Sequence, residues 1–203
     1  MASIPDVDAT RNILDRRFAA RATAITRGRA VVLSSANAIR ALHRAEWDKA
    51  DAELAKADSA WAEIGEAIAD EPAFLHAGFV SDSVKELAEA HLTRALIHRR
   101  ELPGPDTLAT DPIPWLHGLG EAVGEFRRRL LDLLREGDVI EAESMMNEMD
   151  HIVDQLAQLD YPDGMTHGLR RTTDVARALT ERSRADLTAT VVQERLREQL
   201  KES

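Results

Sequence analysis

The sequence predicts an all-α protein, a bundle of six to seven helices. Three observations carry this. Only ten glycines and seven prolines punctuate 203 residues, too few for a fold of many short strands and turns. Apolar residues recur at steps of three and four through most of the chain, and no stretch alternates with the period of a strand. Hydrophobic residues make up 44% of the chain but aromatics only 4%, so the core must rest on Leu, Ile, Val, Ala and Met. The length suits one sizeable core, and residues 1–203 are assigned to a single domain with flexible ends at 1–8 and 199–203.

The elements follow in order. Residues 9–44 read as one long basic helix with Ile13, Phe18, Ala22, Ile25, Val32, Ala36, Ile39 and Leu42 at roughly helical spacing. Residues 46–70 place Leu54, Trp61, Ile64 and Ile68 on one side of a second helix that stops before Pro72. A third begins at Ser81–Ser83 and runs to about Arg100, with a short turn expected between Phe74 and Val80. The stretch from Glu101 to Asp111 is the clearest loop. Asp111-Pro112 reads as an N-cap followed by proline at the first helical position. The helix it starts carries Leu116, Leu119, Val123, Phe126, Leu130 and Leu133 as a seam, which Gly137 closes. Asp138 caps the next helix, where Ala142, Met145, Met149, Ile152, Leu156 and Leu159 form a core stripe rather than a cofactor box. Tyr161-Pro-Asp-Gly164 turns the chain into a last helix, from about Thr166 towards Leu200.

The formal charge of −10 argues against a surface made throughout for phosphate backbones, but the distribution is uneven. From Arg11 to Arg44 there are eight arginines against one acid, Asp15. Such a segment suits local phosphate contact or inter-helix charge pairing, and both remain open. No cysteine is present, which excludes disulfides, thiolate metal sites and a cysteine nucleophile. The start, Met1-Ala-Ser-Ile-Pro5, lacks a signal pattern and no apolar run approaches a membrane span, so a cytoplasmic setting without a membrane partner is expected.

Two carboxylate pairs stand out. Glu86 and Glu89 are three residues apart and Glu121 and Glu125 four apart, so each pair projects from one helical face. Glu121 has only His117 and Glu125 at those spacings, and Lys85 reaches only Glu89 along its own helix. Arg128 and Arg129 give Glu125 the option of a surface salt bridge. Carboxylates with little local neutralisation suit a hard divalent cation such as Mg²⁺. Both pairs lie opposite the apolar seams, which predicts acids facing solvent or a water-filled cavity; spacing alone leaves a solvated face as the ordinary reading.

Three segments carry a family resemblance. Ala77-Gly-Phe-Val-Ser-Asp-Ser-Val-Lys-Glu-Leu-Ala-Glu-Ala90 resembles the Glu-x-x-Glu stretch of Trax-like proteins. Trp115-Leu-His-Gly-Leu-Gly-Glu-Ala-Val-Gly-Glu-Phe-Arg-Arg-Arg129 is similar to the block that supplies that family's second acidic pair. Gly168-Leu-Arg-Arg-Thr-Thr-Asp-Val-Ala-Arg177 is similar to its C-terminal helix signature, and the segment from Arg27 to Arg44, ending Ala-Leu-His-Arg, matches too. The chain is thereby identified as a member of the translin/Trax family across nearly its whole length. The resemblance implies a seven-helix fold and a closed homo-oligomeric shell, an octamer, enclosing single-stranded or short duplex RNA, with single-stranded DNA as another ligand. It implies a Mg²⁺-dependent endoribonuclease site, with Mn²⁺ as substitute, in which Glu86, Glu89, Glu121 and Glu125 act as metal ligands and catalytic residues. Glu121 stands where the family has aspartate, one methylene shorter. Glu125 is either a further ligand or the group that orients water. The candidates for RNA contact are Arg27, Arg29, Arg40, Arg44, Arg94, Arg127 and Arg128.

Rival readings are a nucleic-acid-binding scaffold with a vestigial acidic site, and a protein-interaction module without an RNA role. A ferritin-like di-iron site is suggested by Glu148-x-x-His151 together with Glu86, Glu89 and Glu125. That site needs a second Glu-x-x-His motif, which the sequence lacks.

Overall fold

The computed structural model describes residues 6–201, and among these are seven α-helices and no strand. They are α1 (Val7–Leu42), α2 (Trp47–Ala67), α3 (Gly78–Ile97), α4 (Pro112–Glu136), α5 (Val139–Ala157), the single turn α6 (Asp163–Thr166) and α7 (Leu169–Lys201). A 3₁₀ turn at Pro72–His76 precedes α3. The third helix thus starts at Gly78, earlier than the serines at 81 and 83 suggested, because Pro72 opens the 3₁₀ turn and releases the chain from it before Gly78. Of the ends expected to be flexible, residues 7–8 and 199–201 are helical, while 1–5 and 202–203 lie outside the described residues.

The capping signals act as their chemistry requires. The Asp111 carboxylate accepts from the Ile113 amide at 2.9 Å, satisfying one of the free N–H groups at the start of α4. Asp138 does the same for α5, accepting from Glu141 N–H at 3.0 Å. Gly137 ends α4 in the left-handed region at φ 83°, which a side chain would resist. The loop between α3 and α4 is tied down by two indole N–H groups, Trp61 donating to the Leu108 carbonyl at 3.2 Å and Trp115 to the Pro103 carbonyl at 3.0 Å.

Two lobes of core share α3. One joins α3, α4, α5 and α7 through Leu92, Phe126, Leu130, Met145, Met149, Ile152, Leu156 and Leu169. The other joins α1, α2 and α3 through Val31, Trp61, Ile64, Val80, Val84 and Leu87. The seams expected on α2, α4 and α5 are the buried ones. The seam expected on α1 holds only at its C-terminal end, where Ile39 and Leu42 are buried; Ile13, Phe18 and Val32 are exposed, Phe18 by 73%. Ahead of Ile39 the buried face of α1 uses small residues instead, Ala24, Gly28, Ser34, Ser35 and Ala38 with Val31. The reason is close approach. A Cβ on Gly28 would sit 2.6 Å from Ser83 Oγ, so no bulky side chain fits where α1 meets α3 at that turn. Residues 6–19 are exposed throughout.

Candidate metal centre

The first acidic pair meets Glu121 where α3 packs on α4. Gly118 decides that meeting. A Cβ there would lie 2.7 Å from the Lys85 carbonyl oxygen and 2.9 Å from the Glu89 amide nitrogen, so only glycine lets the α4 backbone approach α3 this closely. Three residues downstream, Glu121 is carried alongside the Glu86–Glu89 face. One carboxylate oxygen from each of Glu86, Glu89 and Glu121 falls within 4.8 Å of the others, and Glu89 is the most enclosed of the three. The acids therefore do not lie on a freely solvated face. They are partly buried in the α3–α4 seam, because the two polar faces oppose each other across the Gly118 contact.

Three like charges at this separation repel, and the protein answers in two ways. Lys85 reaches across to α4 and donates to Glu121 at 3.0 Å, with Glu86 at 3.4 Å. Burial disfavours its ammonium, but the hydrogen bond and the charges of Glu121 and Glu86 outweigh this and hold its pKa above the ordinary value. Glu89 is pushed up to about 8, first by burial, then by the charges of Glu121, Glu86 and Glu125, with Lys85 opposing. At neutral pH and without a cation its carboxyl is protonated for the most part. The sequence reading gave Lys85 to Glu89 alone; the helix packing gives it to Glu121 and Glu86.

Glu125 is held apart from this trio. It pairs with His43 Nε2 at the end of α1, a side chain only 1% exposed. That hydrogen bond, against burial and helped by the charges of His43 and Arg128, lowers the Glu125 pKa. His117, which shares the helical neighbourhood of Glu121, is used elsewhere: its Nε2–H donates to the Thr166 carbonyl at 2.9 Å, leaving Nδ1 to accept from the Thr172 hydroxyl at 2.8 Å. The acids open onto a cleft of about 380 Å³ lined by Glu89, Gly120, Glu121, Arg171, Thr172, Val175 and Leu179. Arg171 is exposed and has no ion pair among the described residues. A larger surface cleft of about 680 Å³ around Asp160, Tyr161 and Arg170 also includes Arg171 but none of the clustered glutamates. Glu148 and His151 belong to no metal-competent cluster among the described residues, so the di-iron reading finds no site.

The arginine candidates divide. Arg27 pairs with Glu63 at 2.6 Å, Arg94 with Asp51 at 2.7 Å, and Arg127 with Asp186 and Ser183, both at 2.8 Å. Each of these links two helices of the same chain, so part of each guanidinium's bonding is used within the fold. Arg29, Arg44 and Arg128 are exposed with no ion pair among the described residues, and Arg40 donates only to Asn37. Sequence reasoning did not single out His43, Arg171 or Gly118, although all three stand inside the segments that carried the resemblance.

No family model matches the chain. An uncharacterized protein of Methanocaldococcus jannaschii is 29% identical over 87 residues, 43% of this chain, and the match spans 39% of that protein's length. Solved structures extend the likeness to the whole fold. AfC3PO in complex with duplex RNA is 31% identical with a TM-score of 0.81, covering 92% of this chain and 97% of that one. A second crystal structure of AfC3PO gives 30%, 0.82 and the same coverage. Apo-NeC3PO, at 17% identity, a TM-score of 0.83, and 94% and 100% coverage, shares the fold. With 31% identity over nearly the full length of both chains, and Glu86, Glu89 and Glu121 brought together between α3 and α4, this chain belongs to the translin/C3PO family.

Proposed function

We propose that this protein binds RNA and cleaves it with a divalent cation held by Glu86, Glu89 and Glu121. The observation that carries this reading is the convergence of three carboxylate oxygens from two helices within 4.8 Å. The donor set fits Mg²⁺, or Mn²⁺ in its place: all ligands are hard oxygens, few enough to leave room for water and a phosphate. The raised Glu89 pKa fits as well: burial is its first cause, and the charges of Glu121, Glu86 and Glu125 that add to it are ones a cation relieves. When bound, the cation supplies Lewis-acid stabilisation of charge at the scissile phosphate and lowers the pKa of water.

The chain's own residues do the rest. Glu86, Glu89 and Glu121 orient the cation from both sides of the α3–α4 seam. Glu121, one methylene longer than the family aspartate, accepts from Lys85 while it faces Glu86 and Glu89. Arg171, on the wall of the adjoining cleft, offers a cation to an RNA phosphate beside the cleaved one, and Val175 and Leu179 give that cleft an apolar side for a ribose or base. Arg29, Arg40, Arg44 and Arg128 extend the phosphate-binding surface. The likeness to an RNA-complexed C3PO supports RNA as the ligand, single-stranded or short duplex, with single-stranded DNA as an alternative. Exposed Val7, Ile13, Leu14, Phe18 and Leu33 along α1 support assembly into a homo-oligomeric shell, an octamer in this reading.

The test is cleavage of labelled RNA in Mg²⁺ and in EDTA by the wild type, Glu89→Ala and Glu121→Ala. Metal-dependent cleavage lost in both variants is expected. Cleavage that survives both substitutions sinks the site. Salt-sensitive RNA binding with no cleavage by the wild type favours the scaffold reading instead.

A further inference from the structure

His43 is the last residue to turn with α1, and its burial is unusual for a polar side chain with half its bonding unmet. The ring is 1% exposed, Nε2 is bonded to Glu125 Oε2, and buried Nδ1 has no hydrogen-bond partner among the described residues. An apolar residue of similar size would avoid the cost of the unpaired nitrogen. The pairing spans 82 positions in sequence and joins α1 to α4 beside the acidic cluster. Glu125 stands one helical turn beyond Glu121, near enough for its charge to act on Glu89. Yet its oxygens do not join the three that converge. A glutamate has enough rotatable bonds to turn toward a cation one turn away, so something must hold it back.

We propose that His43 is a positioning residue that withholds Glu125 from direct contact with the divalent cation, keeping the site at three carboxylates. This rests on the metal reading given above. The physical reason is coordination number. Mg²⁺ keeps several waters and takes few carboxylates; a fourth would displace water and occupy the position that an RNA phosphate needs. With Oε2 held by His43, Oε1 remains to accept from water around the cation, the role hydrogen-bonded outer carboxylates play at metal sites.

The signature of this arrangement is opposite to that of a structural contact. Mn²⁺ is the probe, its affinity and number of bound waters read by EPR on the full-length protein. His43→Leu releases Glu125 and should bind Mn²⁺ about fivefold tighter, because affinity follows the number of ligand charges. The bound cation should lose one water, and RNA cleavage should slow with a raised KM, because the phosphate then competes with the fourth carboxylate. His43→Gln, which keeps an amide donor, should restore wild-type affinity, and adding Glu125→Gln to His43→Leu should remove the tightening. Unchanged or weaker Mn²⁺ binding by a folded His43→Leu protein overturns the inference. Should that variant not fold, Glu125→Gln alone decides. Affinity within about twofold of wild type, with slower cleavage, supports an outer position; a loss as large as that of Glu89→Ala makes Glu125 a direct ligand and overturns it. Glu89→Ala also separates the two claims. If it binds Mn²⁺ like wild type, the metal reading fails and takes this one with it. If it loses Mn²⁺ while His43→Leu is neutral, only the role of His43 fails.

Discussion

Replacing Glu89 by glutamine in the metal-free protein tests the electrostatics of the site directly. Burial and three neighbouring carboxylates push the Glu89 carboxyl from its ordinary 4.5 to about 8. Between those values the folded protein holds a proton that the unfolded chain has released. Folding stability therefore falls as pH rises through that window and levels off above about 8. At 1.36 kcal/mol per pH unit the full loss is about 5 kcal/mol, and water at the mouth of the cleft reduces it to roughly 1–3 kcal/mol. Glutamine keeps the shape and cannot ionise. In EDTA, Glu89→Gln should match wild type near pH 5 and exceed its stability at pH 9 by that 1–3 kcal/mol, read from urea unfolding followed by circular dichroism. Saturating Mg²⁺ should then stabilise the wild type at pH 9 and leave the variant nearly unchanged. Parallel pH profiles in EDTA, or a variant less stable than wild type at pH 9, would refute the reasoning.

Other outcomes follow from particular contacts. Gly118→Ala forces a methyl group against the Lys85 carbonyl and Glu89 amide, costing about 1–3 kcal/mol of stability and weakening Mn²⁺ binding as α3 and α4 separate; a denaturation midpoint and affinity equal to wild type would contradict the close-approach argument. Lys85→Met removes the internal cation that competes for Glu121, so calorimetric titration should show tighter Mg²⁺ binding; weaker binding would mean that Lys85 is not a counter-ion to the site. Arg171→Ala should raise KM for RNA and reduce the slope of log affinity against log salt by about 1, with Mn²⁺ affinity unchanged; an unaltered salt slope removes Arg171 from phosphate contact. Phe126→Ala, in the middle of the larger core lobe, should cost about 3–5 kcal/mol in urea unfolding without changing Mn²⁺ affinity in the protein that remains folded.

Periodicity made α2, α4 and α5 legible because each buries one continuous stripe of large apolar residues, and a stripe of that kind has a sequence signature. On α1 it held for Ile39 and Leu42 but misled further back, where Phe18 and Val32 fit the helical period yet face outward. That helix packs through Gly28, Ser35 and Ala38, and small residues register weakly in any hydrophobic count. The caps at Asp111 and Asp138 were legible for a related reason: a capping bond spans two or three residues, so the whole interaction lies within one local stretch.

The glutamates show where that local legibility ends. Spacing along each helix determined that Glu86 shares a face with Glu89, and Glu121 with Glu125, since helical geometry fixes those directions. Only the tertiary structure decided that the first pair meets Glu121, that Lys85 neutralises across the seam, and that Glu125 turns to His43. Each of these contacts joins residues on different helices. The crossing of α3 and α4 rests on the missing Cβ of Gly118, whose effect appears only once both backbones are in place. The sequence by itself determined which side chains each helix presents; the packing of glycine against backbone decided which of them could hold a cation together.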